Sequence, residues 1–442
     1  MLIGLLTLVV ALGFGAATAL ADDDGVTIQA QVREQQRDED GRTDNQPVEG
    51  VTIRVFDVDG NLVNEGQTGD DGNAVVAVPG RADYVVELDE STLPDDTAVA
   101  ENSAAVQEVG EESFRTDRRI VNFFTGESQR VERGLVDRAA QRLADGIRFG
   151  LILAMCSVGL SLIFGTTGLT NFAHGELVTF GGMMGYLLNV TGIGILAAIP
   201  WIVDDQGRMH LFIAAPLAVA IGAAFGWLLD WSLFSKLRKR GVGLISQMVI
   251  TVGLSIALKN AIQFQFGGSV RFMRDFQQQE SMNWGPVQIT QRQVAITLLS
   301  LVVLLVVAYL LMFTRLGKAT RAVSDNPDLA SATGIDSAFV IRLVWALAGA
   351  LAALGGVLLG TELGVSWDMG ARLLFLMFAA ITLGGLGSAL GALVGGFVVG
   401  VAVEMASLVV PTELKNTPAL LILILVLLFR PEGVLGKAQR VG

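Results

Sequence analysis

The stretch GLSLIFGTTGLTNFAHGELVTFGGMMGY, Gly159–Tyr186, decides how this chain is read. Two apolar runs are joined through a break rich in glycine and threonine, and three polar residues, Asn171, His174 and Glu176, sit among neighbours that are apolar, small or hydroxylic. Runs of this length and composition suit ~30 Å of hydrocarbon crossed at ~1.5 Å per residue. Ionisable side chains are costly at such depth, so they face a protein interior or a water-filled cavity. On a continuous helix Asn171 and His174, three positions apart, share a face from which Glu176 is turned away.

Outward from this stretch the whole composition agrees. The 442 residues are 52% hydrophobic and 17% charged, with a mean hydropathy of +0.55, too apolar for an ordinary soluble protein. Charge is uneven: residues 22–135 carry 27 acidic and 10 basic side chains, a net of −17 in a chain whose total is −12, which leaves the remainder near +5. The acidic segment is repelled by nucleic-acid phosphates and by anionic lipid, so no nucleic-acid partner is expected and the segment stands away from the bilayer. Cys156 is the single cysteine, His210 the only other histidine, and no HExxH occurs, so neither a disulfide framework nor a metal site is expected.

Residues 1–21 have an apolar core that ends in Ala19-Leu20-Ala21 before three aspartates, the pattern of a signal peptide, or failing cleavage an N-terminal anchor. Either puts residue 22 onward outside the cytoplasm. From Val26 to about Pro94 the pattern is that of strands: Val51, Ile53 and Val55 alternate with Thr52 and Arg54, and Asp59-Gly60 and Asp71-Gly72 mark tight turns. With its TGDDGNA loop this segment resembles the small prealbumin-like or carboxypeptidase-regulatory-like β-sandwich, so residues 22–96 are read as an acidic β-sandwich-like domain. Residues 97–140 lose periodicity and read as a linker, and 141–442 as the membrane domain.

Nine apolar runs follow, at about 147–165, 170–190, 211–235, 243–265, 293–314, 337–360, 372–388, 391–410 and 417–430, and predict a polytopic all-α membrane domain of about nine spans. The run at 192–203 is too short to span and reads as re-entrant or interfacial. Basic residues gather at Lys236, Arg238, Lys239 and Arg240, at Arg315, Lys318 and Arg321, and at Arg430, Lys437 and Arg440. If every run crosses once, all three clusters share one side, which the positive-inside rule makes the cytoplasm; the acidic domain and the VDDQG turn take the other. Glycine recurs every fourth position at Gly387, Gly391 and Gly395, a spacing that strips one helix face of side chains and lets a neighbour pack closely.

The segment RLGKATRAVSDNPDLASATGID, Arg315–Asp336, reads as a basic loop holding one short helix. Asn326 suits the N-cap, Pro327 the first helical position, Asp328 the positive end and Gly334 the stop. Such a helix has little to bury alone, so a partner groove would complete it, the other option being an ordinary turn whose Arg315, Lys318 and Arg321 meet lipid phosphate. No GxxxxGK[ST] loop is present: Gly317 and Lys318 lack both the upstream glycine and the following hydroxyl. The chain therefore has no ATPase site of its own and is expected to bind no cofactor.

Three segments together, GLSLIFGTTGLTNFAHGELVTFGGMMGY, FTRLGKATRAVSDNPDLASATGID, and LGGLGSALGALVGGFVVGVAVEMAS with LLFRPEGVLG, resemble the membrane permease subunit of branched-chain amino acid ABC importers. The resemblance covers about 145–438 and leaves the β-rich N-terminal domain unaccounted for. It implies a multi-pass protein of the bacterial plasma membrane, a second related permease, two ABC ATPases that hydrolyse the ATP, and an extracytoplasmic solute-binding protein. It also implies that Asn326–Gly334 is the helix through which the ATPases act. Asn171, His174, Glu176 and the intramembrane Glu404 remain open between interhelical bonding and a translocation path or gate. A permease of the same family for urea or short-chain amides, and an ion-driven secondary transporter, are the alternatives.

Overall fold

The computed structural model describes residues 26–37, 43–58, 60–94, 99, 104–110, 114, 118–125, 134–192, 208–275, 281–411, 414–415, 417–430 and 433–434. The signal peptide or anchor, residues 193–203 of the short run, the VDDQG turn, and Lys437 and Arg440 lie outside the described residues. Contacts separate a β unit within Thr18–Arg133 from a helical unit that begins at Gly134.

In the β unit, β3 (Thr52–Asp57) pairs antiparallel with β4 (Leu62–Gln67) and β6 (Tyr84–Leu88), and β6 with β7 (Val106–Val109). In the second sheet β1 (Thr27–Arg37) pairs antiparallel with β2 (Thr43–Pro47) and β5 (Asn73–Ala77), and in parallel with β8 (Arg118–Thr125). Val51, Ile53 and Val55 are fully buried, as the alternation requires, and join Ile28, Ala30, Val32, Val86 and Phe123 in one core between the two sheets. Gly72, with φ +68°, turns the chain into β5 where a side chain would strike the backbone of Val32. The expected linker is corrected: β7 and β8 fall inside 97–140, and the first long helix starts there too. Both strands find partners far away in sequence, which local periodicity does not register.

The helical unit begins with α1 (Leu135–Thr167), followed by α2 (His174–Tyr186), α3 (Leu211–Lys239), α4 (Leu244–Phe266), and a hairpin of β9 (Ser281–Trp284) and β10 (Val287–Thr290). Then come α5 (Gln291–Phe313), α6 (Arg315–Asp325), α7 (Pro327–Ala332), α8 (Ser337–Leu363), α9 (Met369–Gly384), α10 (Ala389–Ala406) and α11 (Thr417–Phe429). Each of the nine apolar runs forms a helix, and six helices among the described residues are long and apolar enough to span, α1, α3, α4, α5, α8 and α10, which supports six of the nine expected spans. Hydropathy counts apolar residues whether or not they are helical: Gly168 at φ +69° closes α1 and α2 starts only at His174, inside the second run, while Gly385 at φ +103° ends α9 inside its own.

Two further expectations change. Arg315, Gly317, Lys318 and Arg321 lie on the amphipathic helix α6, not in a loop, because Thr314 caps it through the Gly317 amide while Gly317, Thr320 and Val323 face inward. Gly387 is not part of a helical stripe: at φ +78° it turns the chain between α9 and α10, its backbone against Gly165. Gly391 and Gly395 do pack as their spacing suggests, on Gly384 and Ala380 of α9, where a side chain on either would collide with backbone.

Candidate functional site

The break in the opening stretch is where the site is made. Helix α1 closes on Gly168, whose amide donates to the Phe164 carbonyl at 2.7 Å. Six residues later the Nε2 of His174 lies 3.1 Å from the carbonyl oxygen of Cys156. Cys156 precedes the end of α1 by eleven residues, roughly 17 Å of helix, and six nearly extended residues reach roughly 20 Å. Residues 168–173 therefore climb back beside α1 in open conformation before α2 begins.

Non-helical backbone within an apolar bundle must find partners, and side chains supply them. The Asn171 side chain accepts the Ala173 amide at 3.0 Å, Thr251 of α4 accepts the Phe172 amide at 3.1 Å, and Thr167 accepts the Leu169 amide at 3.2 Å. Asn171 is thus not on a helix with His174; it caps the turn that starts α2, which replaces the shared helical face expected from spacing. A carbonyl only accepts, so the His174 nitrogen facing Cys156 carries the proton.

A second irregular segment comes to the same place. Gly364, at φ +80°, ends α8; Val365 exchanges backbone hydrogen bonds with Arg271 at 2.9 and 2.7 Å; and α9 starts at Met369. The Gly370 amide donates to Thr179 of α2 at 3.0 Å, and the backbones of Gly175 and Gly370 touch so closely that a methyl on either would collide with the other. The first turns of two short helices therefore meet, an arrangement that only glycine permits at both positions.

Glu176 stands in the first turn of α2 at 1% exposure, its Oε1 accepting from Ser255 of α4 at 3.2 Å, and Lys259 and Asp368 lie within electrostatic range. The Oε2 of Glu176, the Nδ1 of His174 and the Nδ2 of Asn171 are buried without a hydrogen-bond partner among the described residues. Buried polar atoms ordinarily have partners, so each of the three orphans marks a point where water or another molecule supplies the missing one. The structure does not gather the three side chains at one point: Asn171 turns back to the Ala173 amide, His174 faces Cys156 of α1, and Glu176, two positions further along α2, faces Ser255 of α4. Thr179, Thr251 and Ser255 are added, hydroxyls too common in apolar runs for the sequence to have singled them out.

Glu404 is elsewhere. Its carboxylate is held between Lys415 at 2.6 Å and Arg142 of α1 at 3.6 Å, close to the end of the bundle where Arg148 bonds Glu362 and, at 2.9 Å, Asp145. At the opposite end the described parts of the basic clusters come near one another: Leu244, just after Lys236–Arg240, packs on Gly168; Ser324 of α6 donates to the Gly165 carbonyl at 2.7 Å; and the amide of Val434, four residues after Arg430, donates to the Leu383 carbonyl at 2.7 Å, beside the turn whose Gly387 meets Gly165.

On that basic end α7 stands out from the bundle. Asn326 caps it by accepting the amides of Asp328 and Leu329 at 3.0 and 2.9 Å, Pro327 opens it, and Gly334 at φ +90° follows its end, so the local reading of Asn326, Pro327, Asp328 and Gly334 matches the geometry. Of its six residues only Ala330 is buried, while Leu329 is 63% exposed. A recess of about 760 Å³ opens beside it, between the end of α1, helix α6 and the turn at Gly387.

Comparison with known proteins covers this same helical unit. The family described as the permease component of branched-chain amino acid transport systems matches residues 142–428. The high-affinity branched-chain amino acid transport system permease protein LivH of Escherichia coli K12 is 31% identical over 307 residues, 68% of this chain and 96% of that protein. Its counterpart BraD of Pseudomonas aeruginosa is 30% identical over 306 residues, with the same coverage. A probable LivH of Methanocaldococcus jannaschii is 27% identical over 317 residues, 68% of this chain and 94% of that protein. No solved structure matches.

Proposed function

This chain belongs to the permease-component family of branched-chain amino acid ABC importers, and from that premise we propose that it imports branched-chain or closely related amino acids as one of two related permeases, driven by separate ATPase subunits. The observation that carries the energetic part is α7: a well-capped, solvent-exposed helix on the basic end with Leu329 left uncovered by the described residues. A short helix gains little stability alone, so a groove on an ATPase supplies its missing contact. Through α6, which hydrogen-bonds α1 at Gly165, movement of α7 reaches the break before Asn171.

In this reading the basic end is cytoplasmic, the β unit lies outside, and the membrane is the bacterial plasma membrane. A solute-binding protein delivers substrate from outside, and alternating access follows as the ATPases close and open. Asn171 serves the bend, whereas His174 and Glu176 stand beside the path with polar atoms free for water or solute. Glu404, paired with Lys415 and Arg142, anchors helices.

The test is Leu329→Asp and, separately, replacement of 328–334 by a flexible linker, each in the reconstituted transporter. Both lose ATP-driven uptake of leucine while the chain still inserts and folds, since the altered residues are mostly exposed. Undiminished uptake would refute the coupling role.

A further inference from the structure

Beside Glu176 a pocket of about 350 Å³ is lined by Lys259 of α4, by Asp368, Arg372, Phe375 and Leu376 around the first turns of α9, and by Leu420 of α11. The volume falls at the small end of the ligand-site range of roughly 300–1,000 Å³. The lining combines two cations and one carboxylate with an aromatic ring and two leucines. The Lys259 ammonium makes no hydrogen bond or ion pair among the described residues, and is instead poised 4.6 Å from the centre of the Trp367 ring. Asp368 accepts from Arg372 at 3.0 Å, and the same guanidinium nitrogen donates to buried Ser366 at 2.6 Å, which fixes the direction of both. Behind them lies the unpartnered oxygen of Glu176.

We propose that this pocket is a transit site for an aliphatic α-amino acid zwitterion: Lys259 takes the carboxylate, Asp368 the ammonium, and Phe375, Leu376 and Leu420 the side chain. The complementarity is in the types: a cation without an ion pair among the described residues and a carboxylate line one pocket with apolar residues, and the one further charged group of the lining, Arg372, is already engaged with Asp368 and Ser366. Lys259 lies seven residues, roughly 10 Å of helix, inside the end of α4, and its half-buried side chain carries the ammonium over an indole ring, which holds it at the pocket. Because Asp368 is shared with Arg372, it releases an ammonium readily, as a transit site requires and a storage site does not. The pocket opens on the surface of this chain, so a passage between paired permeases would run along it; in that respect the proposal rests on the import reading above.

The experiment is leucine uptake by the complete reconstituted transporter, with ATP hydrolysis followed in parallel. Wild-type uptake driven by ATP establishes the import reading; its absence sinks that reading and not the assignment of the pocket residues. Given that uptake, Lys259→Met and Asp368→Asn each lower it on the order of tenfold, the effect of losing one charge-assisted hydrogen bond, while ATP hydrolysis stimulated by loaded binding protein persists and Lys259→Arg restores transport. Uptake within about twofold of wild type in Lys259→Met, or a joint loss of uptake and hydrolysis that Lys259→Arg does not restore, overturns the proposal. Should the charge variants fail to assemble, Phe375→Cys decides: leucine during turnover protects it from a thiol reagent if the pocket is traversed, and leaves its labelling rate unchanged if it is not.

Discussion

The Nε2 of His174 lies 3.1 Å from the carbonyl oxygen of Cys156, joining the start of α2 to the middle of α1 across a break of six residues. That single contact fixes how far the open segment climbs, and so where Glu176 emerges. His174→Ala removes both the donor and the volume of a fully buried ring, and is expected to cost about 2–4 kcal/mol. Thermal unfolding in detergent measures it; an unchanged midpoint would mean that the contact does not hold the break.

Thr251 accepts the Phe172 amide and is itself fully buried. Thr251→Val keeps the shape but leaves that amide unpaired, for a loss of about 1–3 kcal/mol, whereas Thr251→Ser keeps the bond. The pair of unfolding midpoints separates the hydroxyl from packing: a loss in Thr251→Ser with none in Thr251→Val would assign the effect to the methyl group.

Much of this was legible in the sequence and some was not, for reasons that lie in the range of the interactions. Asn326, Pro327, Asp328 and Gly334 act on amides within a few residues, so the cap could be read directly. The apolar runs named the helices, because burial in lipid depends on composition alone. The bend at Asn171 depends on Thr251 from another helix, the strands β7 and β8 on β6 and β1, and the fate of Glu404 on Arg142 and Lys415. None of those partners leaves a mark near the residue it satisfies.

Gly175 and Gly253 offer a controlled contrast within the apolar helices. Gly175→Val forces a side chain into the backbone of Gly370, while at Gly253 nothing lies within 4 Å of where a Cβ would stand. The first is expected to destabilise by about 1–3 kcal/mol or more and to abolish uptake, the second to change neither. Uptake by Gly175→Val at the wild-type rate would show that α2 and α9 need not meet.

In the β unit, the hydrogen bonds from the Asn73 side chain at 2.5 Å and its amide at 3.0 Å hold the Asp71 carboxyl below its ordinary value of 3.8. A folded-state pKa that is lowered adds stability that is complete above the ordinary value and fades as pH falls through the folded one. Amide exchange at Asn73 in the full chain should therefore be pH-independent in protection above about 5 and accelerate beyond its intrinsic rate below about 3. Asp71→Ala should lose that step, and a step that persists in the variant would place its origin in another group.

The central claim is that the chain moves solute only when separate ATPases act on its basic end. The most direct measurement is leucine accumulation in proteoliposomes holding either the complete transporter with ATP or the purified chain alone under an imposed proton or sodium gradient. Accumulation is expected in the first and none above passive leak in the second; concentration of leucine by the chain alone on an ion gradient would contradict the account.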